Sequence, residues 1–324
     1  TDRGVSGVWN DMNEPASFRG PLPNDVQMHD EDRLTTHAEM HNCFGHNMAK
    51  ASYEGWKAAT GERPFVITRA CYSGSQKYAV VWTGDNQSLW GHLRMSIPQQ
   101  CSLGLSGMAF HGTDIGGFGA DCTPELMARW IQAGCFSPLF RSHSAMGTRV
   151  QEPWRFGDEV TAIFRKYVKL RYRLQPYFYD LFRECEETGL PPMRALVLNY
   201  EDDPNVHEMN DEFMLGDQML VAPVVEQGAR QRMIYLPKGD WYDFWTGEKQ
   251  EGGRYFVREA PLDLCPIYVK AGTILPLYPE QRYTDELADP ELTLRCYPGE
   301  GVYEHYRDNG RDFTYRDGAY TLYR

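Results

Sequence analysis

The sequence Val5-Ser6-Gly7-Val8-Trp9-Asn10-Asp11-Met12-Asn13-Glu14-Pro15 passes from an apolar segment into a polar run. Residues 5–9 predict a β-strand, and the polar residues follow where that strand ends. The same pattern recurs at residues 64–68, 79–82 and 107–111, which lead into Arg69, into Thr83-Gly84-Asp85-Asn86 and into Gly112-Thr113-Asp114. Each of these four strands therefore delivers polar side chains at its carboxyl end.

Helical segments separate these strands, and the first of them covers residues 36–59. Strands that alternate with helices pair in parallel through right-handed crossovers. The loops at the carboxyl ends of such strands carry the active site of a (β/α)8 barrel. We therefore predict an α/β fold in which residues 1–205 form the later part of a (β/α)8 TIM barrel. Within it, residues 158–187 predict a long helix that Pro176 should kink or divide and that Gly189 with Pro191-Pro192 ends. Residues 193–200 predict one more barrel strand.

From about residue 206 the pattern changes to short β-type runs separated by Gly, Pro and Asp. Helical periodicity is weak in this part, which is typical of a β-sandwich. We predict a proximal β-sandwich at residues 206–278 and the start of a distal β domain at residues 279–324. The runs lie at residues 218–225, 232–236, 254–257, 267–269, 273–277 and 292–297.

The overall composition limits the classes of partner. The 324 residues carry a formal net charge of −12, which disfavours nucleic acid. No apolar run approaches the roughly 18 residues of a membrane span, so we expect no membrane partner. The eight cysteines are scattered without a C-x-x-C pair, which favours free thiols and a reducing, cytoplasmic setting.

Two of the polar runs combine an aspartate with a tryptophan: Trp9 with Asp11, and Trp82 with Asp85. Cleavage of a glycosidic bond requires two carboxyl groups that flank the bond. A flat aromatic side chain provides an apolar surface for the sugar ring. The alternative is that these are solvated loop acids beside core tryptophans, and composition alone does not exclude it.

Five motifs resemble glycoside hydrolase family 31, and the similarity is greatest to its α-glucosidases of the glucosidase II type. The nucleophile motif W-x-D-M-N-E corresponds to residues 9–14, and the acid/base motif W-x-G-D-N corresponds to residues 82–86. Thr68-Arg69 lies between these two motifs, sixteen residues before Asp85. Gly112-Thr113-Asp114-Ile115-Gly116-Gly117-Phe118 and Arg141-Ser142-His143 follow in the family's order. Leu220-Val221-Ala222-Pro223 and a Trp-rich segment at residues 241–247 extend the resemblance over most of the chain.

The resemblance implies roles for nine residues. Asp11 corresponds to the catalytic nucleophile and Asp85 to the general acid and base. Arg69, Asp114 and His143 would bind the hydroxyls of the sugar, and the pocket would be walled by Trp9, Met12, Trp82 and Phe118. The role of Glu14 stays open, because its carboxylate could orient neighbouring groups or bind the backbone. His37 and His41 have an i, i+4 spacing but lack the H-E-x-x-H pattern, so we expect no metal and no cofactor.

These roles predict a retaining exo-acting α-glucosidase that hydrolyses terminal non-reducing α-linked glucose from oligosaccharides. An α-glucan lyase or an α-transglucosylase on the same scaffold, or a non-catalytic carbohydrate-binding protein, remain the alternatives. In the family the nucleophile follows about the fourth barrel strand, whereas here it is residue 11. The resemblance therefore implies a companion N-terminal segment or chain that completes the barrel.

Overall fold

The computed structural model describes residues 4–284 and 286–324. These residues form two compact units. The first unit consists of residues 4–84 with residues 307–321, and the second consists of the remaining described residues.

The first unit contains a parallel strand arrangement with a long crossover helix. Its strands pair in the order β1-β4-β5, with Trp9 opposite Ile67 and Ile67 opposite Val80. Two further strands, β2 and β3, form a separate antiparallel hairpin. The elements are β1 (Val8–Asn10), β2 (Gln27–Asp30), β3 (Arg33–Thr36), α1 (His37–Thr60), β4 (Val66–Thr68), a 3-10 helix (Ser75–Lys77) and β5 (Val80–Trp82), with a second 3-10 helix at Thr314–Asp317.

Helix α1 packs closely on the segment that follows β4. A Cβ atom at Gly45 would lie 2.5 Å from the Cβ of Ala70, so only glycine allows this approach. The helix ends at Gly61, which has a φ of 70° and donates its N–H to the Lys57 carbonyl. Gly45 thus lets α1 pack against and support the loop that carries Arg69.

The second unit begins with strands and helices of the barrel type. Strands β6 and β7 pair in parallel, with Gly112 opposite Leu139 and Asp114 opposite Arg141. The long helix predicted at residues 158–187 is divided just before Pro176 and ends at Gly189, whose φ is 82°. The elements are α2 (Trp90–Leu105), β6 (His111–Ile115), α3 (Pro124–Gly134), β7 (Leu139–Ser142), a 3-10 helix (Pro153–Phe156), α4 (Asp158–Arg173) and α5 (Gln175–Thr188).

The prediction for β6 was wrong in its bounds. Residues 107–110 are not a strand, and the strand extends from His111 through Gly112, Thr113 and Asp114 to Ile115. Gly112 was interpreted as the end of the strand, but it is a site of close backbone approach. A Cβ there would lie 2.3 Å from the Leu139 carbonyl oxygen. Asp114 consequently belongs to a strand and not to the loop beyond it.

The predicted barrel strand at residues 193–200 is also wrong. Only Met193–Arg194 is extended, as β8, and a short helix α6 (Leu196–Asn199) follows. β8 pairs antiparallel with the next strand, β9 (Phe213–Leu215), and so belongs to the β region. A short apolar run such as Ala195-Leu196-Val197-Leu198 fits a strand and a helix equally well by periodicity, which explains the error.

The β region contains antiparallel sheets, as predicted. A six-stranded sheet has the order β13-β12-β15-β10-β9-β8, and the pairs β11-β14 and β16-β17 form two-stranded sheets. Ile234 and Leu236 of β11 belong to the same buried core cluster as Leu220 and Tyr268 of the six-stranded sheet. The remaining strands are β10 (Met219–Val221), β11 (Gln231–Leu236), β12 (Asp240–Asp243), β13 (Lys249–Glu251), β14 (Arg254–Glu259), β15 (Ile267–Lys270), β16 (Ile274–Leu277), β17 (Thr293–Cys296), β18 (His305–Arg307) and β19 (Thr321–Tyr323). A partial barrel followed by antiparallel sheets is therefore confirmed.

Within the second unit a buried arginine joins the helical part to the β region. Arg129 of α3 has no exposed surface and donates to the main-chain carbonyls of four residues and to the side chain of Gln132. Burial lowers the pKa of Arg129, because the charged guanidinium loses its contact with water. The hydrogen bonds from the guanidinium to the carbonyls offset part of that cost. The carbonyls belong to Ala229, Ala260, Pro261 and Leu264.

All eight cysteines are free thiols. In the part of the chain that the structure describes, no helix has the length and apolar character required to cross a membrane.

Substitution of Gly112 by alanine is expected to lower both stability and activity. The added methyl group would overlap the Leu139 backbone and separate β6 from β7, which would displace Asp114 from Arg141. We expect a loss of about 1–3 kcal/mol, measured by chemical unfolding of the complete protein.

The matched control is Gly91→Ala, in the exposed first turn of α2. A Cβ at Gly91 meets nothing within 4 Å, so this substitution is expected to leave stability unchanged or raise it slightly. Equal stability of the two variants would contradict the close-approach role of Gly112.

Candidate active site

The first group of predicted site residues lies at the carboxyl ends of β1 and β4. Asp11 follows the last residue of β1, and Arg69 follows the last residue of β4. The Arg69 N–H donates to the Asn10 carbonyl at 3.0 Å and so continues the parallel hydrogen-bond ladder. Because both strands end at the same edge, Asp11 and Arg69 are neighbours.

The Arg69 guanidinium contacts two carboxylates. Its Nη1 lies 3.3 Å from Asp11 Oδ1, while Nε and Nη2 donate to the two oxygens of Glu14 at 2.7 and 2.9 Å. The bond from Arg69 is the main cause that holds the pKa of Glu14 below its usual range. Glu14 is therefore ionised at neutral pH.

Asn13 joins the Asp11 loop to the Arg69 loop. This buried side chain donates through Nδ2 to Thr68 Oγ1 at 2.9 Å and accepts from the Ala70 N–H at 3.0 Å. Thr68 Oγ1 in turn donates to the Ala70 carbonyl. A buried amide that both donates to one loop residue and accepts from another restricts the two loops to one arrangement.

The predicted aromatic walls of this group contact each other. The rings of Trp9 and Trp82 meet edge to face, with centroids 5.8 Å apart. Trp82 is buried, whereas 44 % of Trp9 is exposed. Met12 Sδ lies 2.9 Å from Arg69 Nη2. Trp9 thus presents an accessible apolar surface beside Asp11.

The second group lies around β6 and β7 in the second unit. Asp114 is fully buried and forms an ion pair with Arg141, its partner in the strand register. Burial raises the pKa of Asp114 despite the nearby guanidinium, and the negative charge of Asp85 acts in the same direction. Asp114 Oδ2 is buried and accepts no hydrogen bond from any described residue.

The residue after Asp85 connects its loop to both neighbouring segments. The Asn86 side chain donates to Thr113 Oγ1 at 2.7 Å and to the Asp114 carbonyl at 3.2 Å, and it accepts from the Phe118 N–H at 3.0 Å. The ring of Phe118 stacks on His143, with centroids 5.2 Å apart. Asn86 therefore ties the Asp85 loop to the strand of Asp114 and to the loop of Phe118.

The predicted residues thus form two groups, one in each unit: Trp9, Asp11, Met12, Arg69 and Trp82 in the first, and Asp85, Asp114, Phe118 and His143 in the second. Their catalytic and binding roles stay predictions. Sequence reasoning missed the pairing of Glu14 with Arg69 and of Arg141 with Asp114. For Arg141, the signal that could have revealed this pair is its position near the end of a strand that is parallel to the strand of Asp114.

The two histidines at i, i+4 contact each other. His41 Nδ1 lies 3.1 Å from His37 Nε2, and the rings meet edge to face. Across residues 4–284 and 286–324, no three His, Cys, Asp or Glu side chains come together in a group that could hold a metal ion.

Two family models match the chain. The model described as "Glycosyl hydrolases family 31 TIM-barrel domain" matches residues 1–181. The model described as "Glycosyl hydrolase family 31 C-terminal domain" matches residues 189–275.

Similar proteins are longer than this chain. "Alpha-glucosidase 2" of Bacillus thermoamyloliquefaciens is 46 % identical over 99 % of this chain and 41 % of its own length. "Neutral alpha-glucosidase C" of Homo sapiens is 38 % identical over 98 % of this chain and 36 % of its own length. The chain therefore spans about two fifths of the length of these relatives.

Solved structures agree with the family models. A glycoside hydrolase family 31 dextranase of Flavobacterium johnsoniae, complexed with glucose, matches with a TM-score of 0.90 and 36 % identity over 99 % of this chain and 41 % of that one. A glucosidase II alpha subunit matches with a TM-score of 0.92 and 30 % identity over 98 % of this chain and 35 % of that one. The strand-end carboxylates, the family models and the relatives lead to one conclusion: this chain belongs to glycosyl hydrolase family 31.

Proposed function

We propose that the complete protein is a retaining exo-acting α-glucosidase that releases glucose from the non-reducing ends of α-linked oligosaccharides. The observation that carries the proposal is Asp11 itself. It directly follows a parallel strand that carries the partly exposed Trp9, and one of its carboxylate oxygens is engaged by Arg69. Family membership and relatives named α-glucosidase support the same activity.

In this mechanism Asp11 attacks the anomeric carbon while Asp85 donates a proton to the glycosidic oxygen. The bond to the leaving sugar breaks, and a glucosyl ester forms on Asp11. Asp85 then removes a proton from water, which attacks the same carbon and releases glucose and free Asp11. Two inversions retain the α configuration of the product.

Substrate selectivity would come from buried polar groups. Asp114 has a buried oxygen that no described residue satisfies, so a sugar hydroxyl that donates to it would replace a missing hydrogen bond. His143, held against Phe118, would supply a second polar contact. An α-linked glucose residue offers hydroxyls for both groups.

We also propose that a companion N-terminal segment completes the barrel. A (β/α)8 barrel has eight parallel strands, whereas the described residues supply β1, β4 and β5 in one unit and β6 and β7 in the other. The relatives are more than twice as long as this chain. A barrel sheet with unpaired edges would expose backbone groups that the missing strands would pair.

Asp11→Gly in the complete protein is expected to lower hydrolysis of p-nitrophenyl α-glucoside by about a thousandfold or more. Sodium azide should restore turnover and give β-glucosyl azide, because the anion attacks from the face that Asp11 occupied. NMR of the product identifies the anomer. Anhydrofructose or longer oligosaccharides from the wild-type protein would instead indicate a lyase or a transferase.

The matched variant is Asp85→Ala. In this variant the glucosyl ester still forms on Asp11, because p-nitrophenolate is a good leaving group that needs no proton. Azide should then give α-glucosyl azide, because the azide anion attacks without a general base. An α product from Asp11→Gly, or full activity without azide, would refute the assignment of Asp11.

The separation of the two carboxyl groups is expected to be about 5–5.5 Å, the value for a double displacement. A crystal structure of the complete protein with a bound inhibitor measures it. A separation of about 6.5–9.5 Å would indicate an inverting enzyme and contradict the retaining mechanism.

Residues 1–324 expressed alone are expected to show no hydrolysis of p-nitrophenyl α-glucoside. Co-expression with the companion segment should restore activity and shift the chain to a larger species in size-exclusion chromatography. A stable and active monomer of residues 1–324 would exclude the companion.

A further inference from the structure

Glu14 shares a tight turn with Asp11, and the nucleophile and general-acid roles do not account for it. The Ala16 N–H donates to the Met12 carbonyl at 2.9 Å, and Met12 has a φ of 58°. Non-glycine residues rarely adopt this left-handed conformation, so the turn persists because its surroundings hold it. The turn directs the carboxylates of Asp11 and Glu14 to the same guanidinium.

The orientation of that guanidinium is restrained at several points. The Arg69 backbone is held by the Asn10 carbonyl, and the next residue is held by the Asn13 side chain. Both Glu14 oxygens accept from Arg69, which is the bidentate geometry of a strong arginine–carboxylate pair. The third guanidinium nitrogen, Nη1, lies 3.3 Å from Asp11 Oδ1.

The two oxygens of Asp11 therefore differ. Oδ1 accepts from the Met12 N–H at 2.9 Å and lies 3.3 Å from Arg69 Nη1. Oδ2 accepts no hydrogen bond from any residue that the structure describes, and the side chain is 40 % exposed. An oxygen with no donor keeps its lone pairs available for bond formation.

We propose that Glu14 is a positioning residue that holds Arg69 on Asp11 Oδ1 and leaves Oδ2 as the oxygen that attacks the anomeric carbon. The proposal rests on the proposed function. A lone pair of Oδ2 forms the bond to carbon as the bond to the leaving oxygen breaks, and that oxygen takes the proton of Asp85. Glu14 also shares the positive charge of Arg69, so that Asp11 keeps more of its negative charge for the attack.

The electrostatic surroundings of Glu14 agree with a charged role. Arg69, at the end of β4, and His41, on α1, both favour the ionised carboxylate, and its pKa is lowered although desolvation opposes this. A neutral residue of the same shape would leave Arg69 to neutralise Asp11 alone. The nucleophile would then be ionised more readily but would attack more weakly.

Glu14→Gln in the complete protein tests the proposal with p-nitrophenyl α-glucoside. We expect kcat/KM to fall about tenfold to hundredfold, the range for a lost charged hydrogen bond. The acid limb of the kcat/KM profile should move to lower pH by about half a unit, because a negative charge near the essential carboxylate is removed. Glu39→Gln is the matched control, since Glu39 also pairs with an arginine, Arg33, at 2.8 Å, and it should leave rate and profile unchanged.

A double-mutant cycle separates positioning from a general structural role. In the Asp11→Gly background with azide, Glu14→Gln should lower kcat/KM by a factor at least five times smaller than in the wild type, because no nucleophile remains to be positioned. The role of Glu14 would be overturned if kcat/KM fell equally in both backgrounds while the acid limb stayed at the same pH. It would also be overturned if kcat/KM did not fall at all. Absence of azide rescue in Asp11→Gly would instead refute the proposed function itself.

Glu14→Asp provides a second variant if Glu14→Gln does not fold. It keeps the charge but shortens the side chain, so kcat should fall while the acid limb stays in place. A shift of the acid limb in this variant would contradict the proposal.

Discussion

The register of the parallel strands is the constraint from which both groups of site residues follow. Parallel strands end at the same edge, so residues that follow paired positions become neighbours. In the first unit, Asn10 lies opposite Thr68, which makes Asp11 and Arg69 neighbours. In the second unit, Asp114 lies opposite Arg141, and the two form a buried ion pair. A slip of one residue in either pairing would turn these side chains to the opposite face.

The register is maintained by small residues and buried polar side chains. Gly112 permits the close approach of β6 and β7, and Gly45 permits α1 to lie against the loop after β4. Asn13 and Asn86 each join a carboxylate-bearing loop to a neighbouring segment through hydrogen bonds that satisfy the buried amide. Rigid support of this kind suits a site in which charges must be held before substrate binds.

The two groups of predicted site residues differ in the exposure of their charges. Arg69 is shared by two carboxylates that remain partly exposed, whereas Asp114 is fully buried with Arg141 beside it. Solvent can stabilise the first arrangement, while the buried Asp114 depends on its ion pair with Arg141. Two aspartates therefore have different candidate roles according to their surroundings. Asp11 is the candidate nucleophile, and Asp114 is a candidate ligand for a sugar hydroxyl.

The local sequence determined the ends of β1, β4 and β5, the break before Pro176, the cap at Gly189 and the change to β structure after the helices, because these depend on periodicity and on glycine and proline conformations. It also placed Asp11, Arg69 and Asp85 in the segments that follow β1, β4 and β5. Only the tertiary structure decided that Gly112 lies inside a strand, since a glycine at a close backbone approach and a glycine at the end of a strand look alike in sequence. Tertiary pairing likewise assigned residues 193–194 to the antiparallel sheet, because a short apolar run has no preference of its own. It also brought Glu14 to Arg69, a contact between residues 55 positions apart that no local pattern encodes.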